Sequence, residues 1–103
     1  MPPQLKLAFI ALVPDSDPAK HRSTMSTGMV ELAVQFVTSL DNAIDMAKQL
    51  ADQGCSMIEL CGGFGHAMTG RIADAVRGKA IVGCVRFDVF PGLGRSSDEL
   101  FGG

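Results

Sequence analysis

The sequence predicts an α/β fold: a four-stranded, mainly parallel sheet with helices mostly on one face, resembling part of a β/α barrel. A ferredoxin-like α+β arrangement or a flavodoxin-like one is the alternative. Three observations carry this reading. Short apolar runs alternate along the 103 residues with segments of helical periodicity. Glycine or proline punctuates most of the junctions. Three of the four apolar runs have one apolar face and one polar or small face, whereas a sheet covered on both sides reads as apolar throughout.

The elements follow in order. Leu5 to Val13 is apolar except for Lys6, the pattern of a buried strand, and Pro14 stops it. Asp17-Pro18 resembles an N-cap with proline at the first helical position, which predicts a short helix through Ala19, Lys20, His21 and Arg22. Met29 to Val37 is the second expected strand, with Glu31, Ala33 and Gln35 on one side and Val30, Leu32, Val34 and Phe36 on the other. Ser39 caps a helix whose Leu40, Ala43, Ile44, Ala47, Leu50 and Ala51 recur at helical spacing. Gly54 stands where a left-handed residue closes that helix. Met57 to Cys61 is the third strand, followed by a helix that turns Met68, Ile72, Ala75 and Val76 inward and finishes at Gly78. Ile81 to Phe90 is the fourth strand, with Cys84, Arg86 and Asp88 opposite Val85, Phe87 and Val89. Residues 92–103, rich in Gly and Ser, are expected to be a loosely held tail of a single domain spanning 1–103.

Composition narrows the function classes. A net charge of −2 without a basic run or aromatic stacking pattern argues against nucleic-acid binding. Neither a signal peptide nor a membrane-spanning run is visible, so a cytoplasmic protein without membrane partners is expected. The 47% hydrophobic content is high for so short a chain, which predicts a homo-oligomer. Cys55, Cys61 and Cys84 are odd in number and contain no CxxC pair, so no disulfide framework is expected.

The chemistry-bearing residues cluster around one stretch, Glu59-Leu60-Cys61-Gly62-Gly63-Phe64-Gly65-His66. It reads as a strand ending in a glycine-rich turn before a helix, where the backbone can approach an anion and free N–H groups can bind it. Alternation sets Glu59 with Cys61, and Arg86 with Asp88, on the face expected to lack helices. Arg86 suits bidentate binding of a carboxylate or phosphate. Glu59 and Asp88 are the expected acid or base, and His66 a proton carrier near neutrality. His21, at the same sheet edge, is a further ligand-binding residue beside Cys61, Gly62, Gly63, Phe64 and Gly65. Together His21, His66, Cys61, Glu59 and Asp88 are acceptable zinc ligand types, but no spacing is diagnostic, and no metal site is assigned. Neither a dinucleotide fingerprint, a P-loop nor a nucleophile elbow is present, so the cofactor is unknown.

Pro14-Asp15-x-Asp17-Pro18-x-x-His21-Arg22, Ile58-Glu59-Leu60-Cys61-Gly62-Gly63-Phe64-Gly65 and Val85-Arg86-Phe87-Asp88 together resemble a family of short bacterial proteins of unknown function. The resemblance runs from the first strand to Gly94 and implies no activity, so no residue role follows from it. Two function classes stand. One is a site for a small anionic metabolite at the C-terminal ends of the strands, with enzymatic acid–base chemistry as one form of it. The other is a non-catalytic ligand-binding or oligomerisation module.

Overall fold

The computed structural model describes residues 4–89 and 92–100; the expected strand end at Phe90, the break at Pro91 and the last three residues of the tail lie outside them. The described chain is a mixed α/β fold. Its elements are β1 (Leu5–Leu12), β2 (Arg22–Ser26), β3 (Val30–Val37), α1 (Leu40–Asp52), β4 (Met57–Leu60), α2 (His66–Ala75), β5 (Ile81–Cys84) and α3 (Ser97–Leu100). The sheet has five strands in the order β2-β3-β1-β4-β5. β3, β1, β4 and β5 run parallel to their neighbours, and β2 alone pairs antiparallel, along the outer edge of β3.

The fifth strand corrects the reading of the segment after Pro14. Asp17 and Pro18 open only a turn, in which Lys20 and His21 donate their N–H groups to the Asp17 carbonyl. The chain is extended from Arg22, where a helix was expected, because the run Arg22–Ser26 has an edge of β3 to pair with. The last strand also stops early, at Cys84. Its sole neighbour, β4, ends at Leu60, and the N–H of Val85 bonded to the Leu60 carbonyl at 2.8 Å closes the ladder.

Connectivity decides which face of the sheet is covered. The links β3–α1–β4 and β4–α2–β5 step the same way across the sheet, so right-handed crossovers set both helices on one face. α1 and α2 accordingly pack on each other. Ala43, Ala47, Ala51 and Ile72 of these helices meet Ala8, Ile10, Val37, Ile58 and Leu60 of the sheet in the single buried cluster. The link from β1 to β3 steps the opposite way, and a helix there would cover the second face. It carries the edge strand β2 instead, and the second face has no helix among the described residues.

One-sided cover matches the expectation, but the phase of β3 is the reverse of it. Register with β1 pairs Ala8 with Ala33, Ile10 with Gln35 and Leu12 with Val37, so Glu31, Ala33 and Gln35 lie under the helices. The small Ala33 leaves room for α1. Gln35 is buried at 4% exposure, with its amide donating to the carbonyls of Pro18 and Phe36 at 2.9 Å each. Val30, Leu32, Val34 and Phe36 therefore join Leu5, Leu7, Phe9 and Met57 on the helix-free face. No side chain of that set belongs to the core cluster.

Local chemistry fixes the helix ends. Ser39 accepts the N–H of Asn42 at 3.1 Å, while the Asn42 side chain accepts the N–H of Thr38 at 2.9 Å, a reciprocal cap. Gly54, with φ of 96°, takes the left-handed conformation after α1.

Candidate functional site

α2 starts without a side-chain cap. Gly65 is its N-cap, and the first helical N–H to find an intrahelical acceptor is that of Thr69, bonded to the Gly65 carbonyl at 3.0 Å. The N–H groups of the first turn are left facing outward with the positive end of the helix dipole. No acidic residue of α2 itself occupies that turn.

The glycines at 62, 63 and 65 do not serve a left-handed backbone: the positive-φ glycines among the described residues are Gly54, Gly78, Gly92 and Gly94. A Cβ on Gly63 would lie 3.3 Å from the Cys61 sulfur, a tight contact, and 3.5 Å from the Leu12 Cβ, an ordinary one, so its neighbours belong to the same chain. Cys61 is likewise occupied internally, its Sγ accepting the N–H of Leu12 at 3.2 Å and of Gly63 at 3.4 Å.

Beyond β5 the chain bends toward the helix side and presents Arg86 to the start of α2. The guanidinium reaches His66, with Arg86 Nη1 3.3 Å from His66 Nε2, and it pairs with the carboxylate of Asp98 and, through Nε at 3.4 Å, with Asp88. His66 Nε2 is also 3.1 Å from Asp98 Oδ2. One imidazole nitrogen cannot serve both contacts at once. It accepts from Arg86 only when unprotonated, and donates to Asp98 only when it carries the proton. The Asp98 and Asp88 carboxylates raise the Arg86 pKa above its ordinary value, chiefly through the hydrogen bond to Asp98, so the guanidinium is charged throughout.

Asp98 reaches this place through a short anchored segment. Ser96 and Glu99 form a capping box, the Ser96 N–H donating to the Glu99 carboxylate at 3.4 Å and the Glu99 N–H to Ser96 Oγ at 3.3 Å. Ser97, 1% exposed, donates its N–H to the Phe87 carbonyl at 3.0 Å and accepts the Phe87 N–H on its hydroxyl at 3.2 Å. Asp98 is a site residue absent from the sequence reading. The Ser96-x-x-Glu99 pattern is the signal that marks a helix start there.

A cleft of about 300 Å³ opens beside this cluster, lined by Phe64, Gly65, His66, Thr69, Arg86 and Asp98 among others. Of the expected residues, Phe64, Gly65, His66 and Arg86 thus come together, with Asp88 at the solvent edge, its side chain 94% exposed. Glu59 does not join them. It lies between Phe9 and Gly83 on the helix-free face, and no hydrogen bond or ion pair reaches its carboxylate among the described residues. Convergence of Glu59 with Arg86 on one face is therefore corrected: register pairs Cys84 with the buried Leu60, so the phase of β5 is also the reverse of the expected one, and Cys84 and Arg86 lie toward the helix side. Cys61, Gly62 and Gly63 are not among the residues lining the cleft, and Cys61 and Gly63 lie against Leu12 of β1. His21 sits at the opposite end of the same sheet edge, its Nδ1 accepting the Asp17 N–H at 2.8 Å and its ring 6.1 Å from that of Phe36. Among the described residues no three His, Cys, Asp or Glu side chains are gathered for a metal.

These features define a small α/β protein with an open-faced, mostly parallel sheet and an Arg–His–Asp cluster where the helix side meets the strand ends. No helix of the described residues is long and apolar enough to cross a membrane. The chain belongs to a family of unknown function, DUF6506, whose model matches residues 5–97. No curated protein matches it, and no solved structure does.

Proposed function

We propose that the protein binds a small molecule carrying a carboxylate or phosphate in the cleft between the start of α2 and the segment after β5. One observation carries the reading. Arg86 and His66 converge on the carboxylate of Asp98 at the mouth of the cleft, beside the start of α2, whose first turn has no side-chain cap. A group of the ligand's own chemistry is thus held there by the groups that would hold the ligand. Arg86 is the anchor. His66, able to change protonation state within contact of both partners, is the group for proton transfer if the bound molecule reacts. Asp88 flanks the guanidinium and sets its orientation.

Equilibrium binding of inorganic phosphate and of succinate to the wild type and to Arg86→Lys tests this. Binding by the wild type that falls at least tenfold in a variant of unchanged thermal stability is the expected result, since a point charge does not reproduce the planar fork. Equal affinity in the two proteins would remove Arg86 from the function. The protein is further proposed to act as a homo-oligomer, a reading favoured by the exposed apolar side chains Met25, at 66%, and Ile81, at 74%.

A further inference from the structure

We infer that the helix-free face of the sheet is an interface with a second copy of this chain, two sheets stacking face to face with their helices outward. The covering layer is missing for a topological reason. The one link whose right-handed crossover would have laid a helix on this face, from β1 to β3, carries the edge strand β2 instead. What remains is an apolar surface over the inner strands β1 and β3, with Leu7, Phe9, Leu32 and Val34 at its centre, none of them in the core cluster, and Met25, Met57 and Ile81 on the flanking strands.

Area and charge both fit a second copy as the occupant. Five strands about 4.8 Å apart and up to about 26 Å long give a flat area on the order of 500 Å² per copy before side-chain relief is added. Side-chain relief brings that area toward the roughly 800 Å² each partner contributes to a standard interface. Glu59 is the one ionic side chain that the strands place on this face among the described residues, and it lies on β4, off the central β1. A two-fold axis near β1 carries the two Glu59 carboxylates to opposite flanks, leaving an apolar centre and a polar rim. Lys6 of β1 and Glu31 of β3 are on the helix side and do not obstruct the stacking. Sheets packed in this way lie about 10 Å apart, with side chains interdigitated.

Multi-angle light scattering of the full chain, at concentrations from about 1 to 100 μM, tests the inference. A dimer mass is expected for the wild type, and a monomer mass for Phe9→Glu, with the far-ultraviolet circular dichroism of both alike. Leu32→Lys keeps the test decisive should Phe9→Glu fail to fold, because that side chain is half-buried on the same face. A wild-type monomer overturns the inference and leaves the face to another occupant, such as a different protein or a lipid surface. A dimer that persists in a folded Phe9→Glu or Leu32→Lys variant also overturns it, since the copies then meet elsewhere, the exposed edge of β2 being the obvious place.

Discussion

Arg86 contacts three side chains, and two of them are carboxylates of its own chain. In the proposed site Asp98 is therefore a resident competitor for an incoming anion. Asp98→Asn keeps the shape and removes the charge, and phosphate affinity should rise a few-fold, the range expected for a partly exposed ion pair; unchanged or weaker affinity would mean that Asp98 supports the site instead of occupying it. The cysteines differ as sharply. Burial pushes the Cys55 thiol up, against a smaller opposing effect of the Met57 backbone, while Cys84 is exposed. A thiol reagent at neutral pH should label Cys84 first and Cys55 only on unfolding. Because the folded pKa of Cys55 is raised, its contribution to stability is complete below the unfolded thiol pKa. It is lost as pH rises from about 8.5 through the folded value. Alkaline melts should show that loss in the wild type and a shallower one in Cys55→Ala. At this scale Arg86 and His66 were legible in the sequence, because their types announce their chemistry. Asp98 was not, because the Gly- and Ser-rich composition reads as a loose tail, although Ser96-x-x-Glu99 within it spells the capping box that the structure forms.

Element identity followed from periodicity and caps wherever an element had its own signal. α1 is the clearest case: Ser39, Asn42 and Gly54 mark its ends, and Ser39→Ala should cost about 1 kcal/mol in a denaturant titration. The turn before α2 was legible in position but not in cause. A Cβ on Gly63 meets the Cys61 sulfur at 3.3 Å, and the further methyls of valine add to that contact, so Gly63→Val should cost about 1–3 kcal/mol by overpacking. Chemical denaturation checks this, and a stability change within error would show that β1 and the turn can move apart. β2 could not be read, since Arg22–Ser26 is a polar run whose strand conformation comes from the free edge of β3. The face that β3 turns to the helices was equally hidden. β1 is apolar on both sides and carries no phase, so only the register of Ala8 with Ala33 and Ile10 with Gln35 reveals it.

The molecule as a whole divides its work between two faces of one sheet. Helices, core and the Arg–His–Asp cleft occupy one side, and a bare apolar surface the other. One-sidedness was legible from the strand patterns, whereas its origin, a crossover carrying a strand in place of a helix, is a property of the topology alone. If a second copy covers the bare face, the melting temperature should rise with protein concentration, as mass action requires; scans at 2 and 200 μM that coincide would speak against it. The proposed anion site is on the other side. Nuclear magnetic resonance titration of the intact wild-type protein with inorganic phosphate examines that site most directly, following the His66 ring and the Arg86 guanidinium. Saturable shifts of both groups, lost in Arg86→Lys, are the predicted result. Shifts that never saturate, or that leave His66 and Arg86 unmoved while other residues respond, would contradict the assignment of the anion site to this cleft.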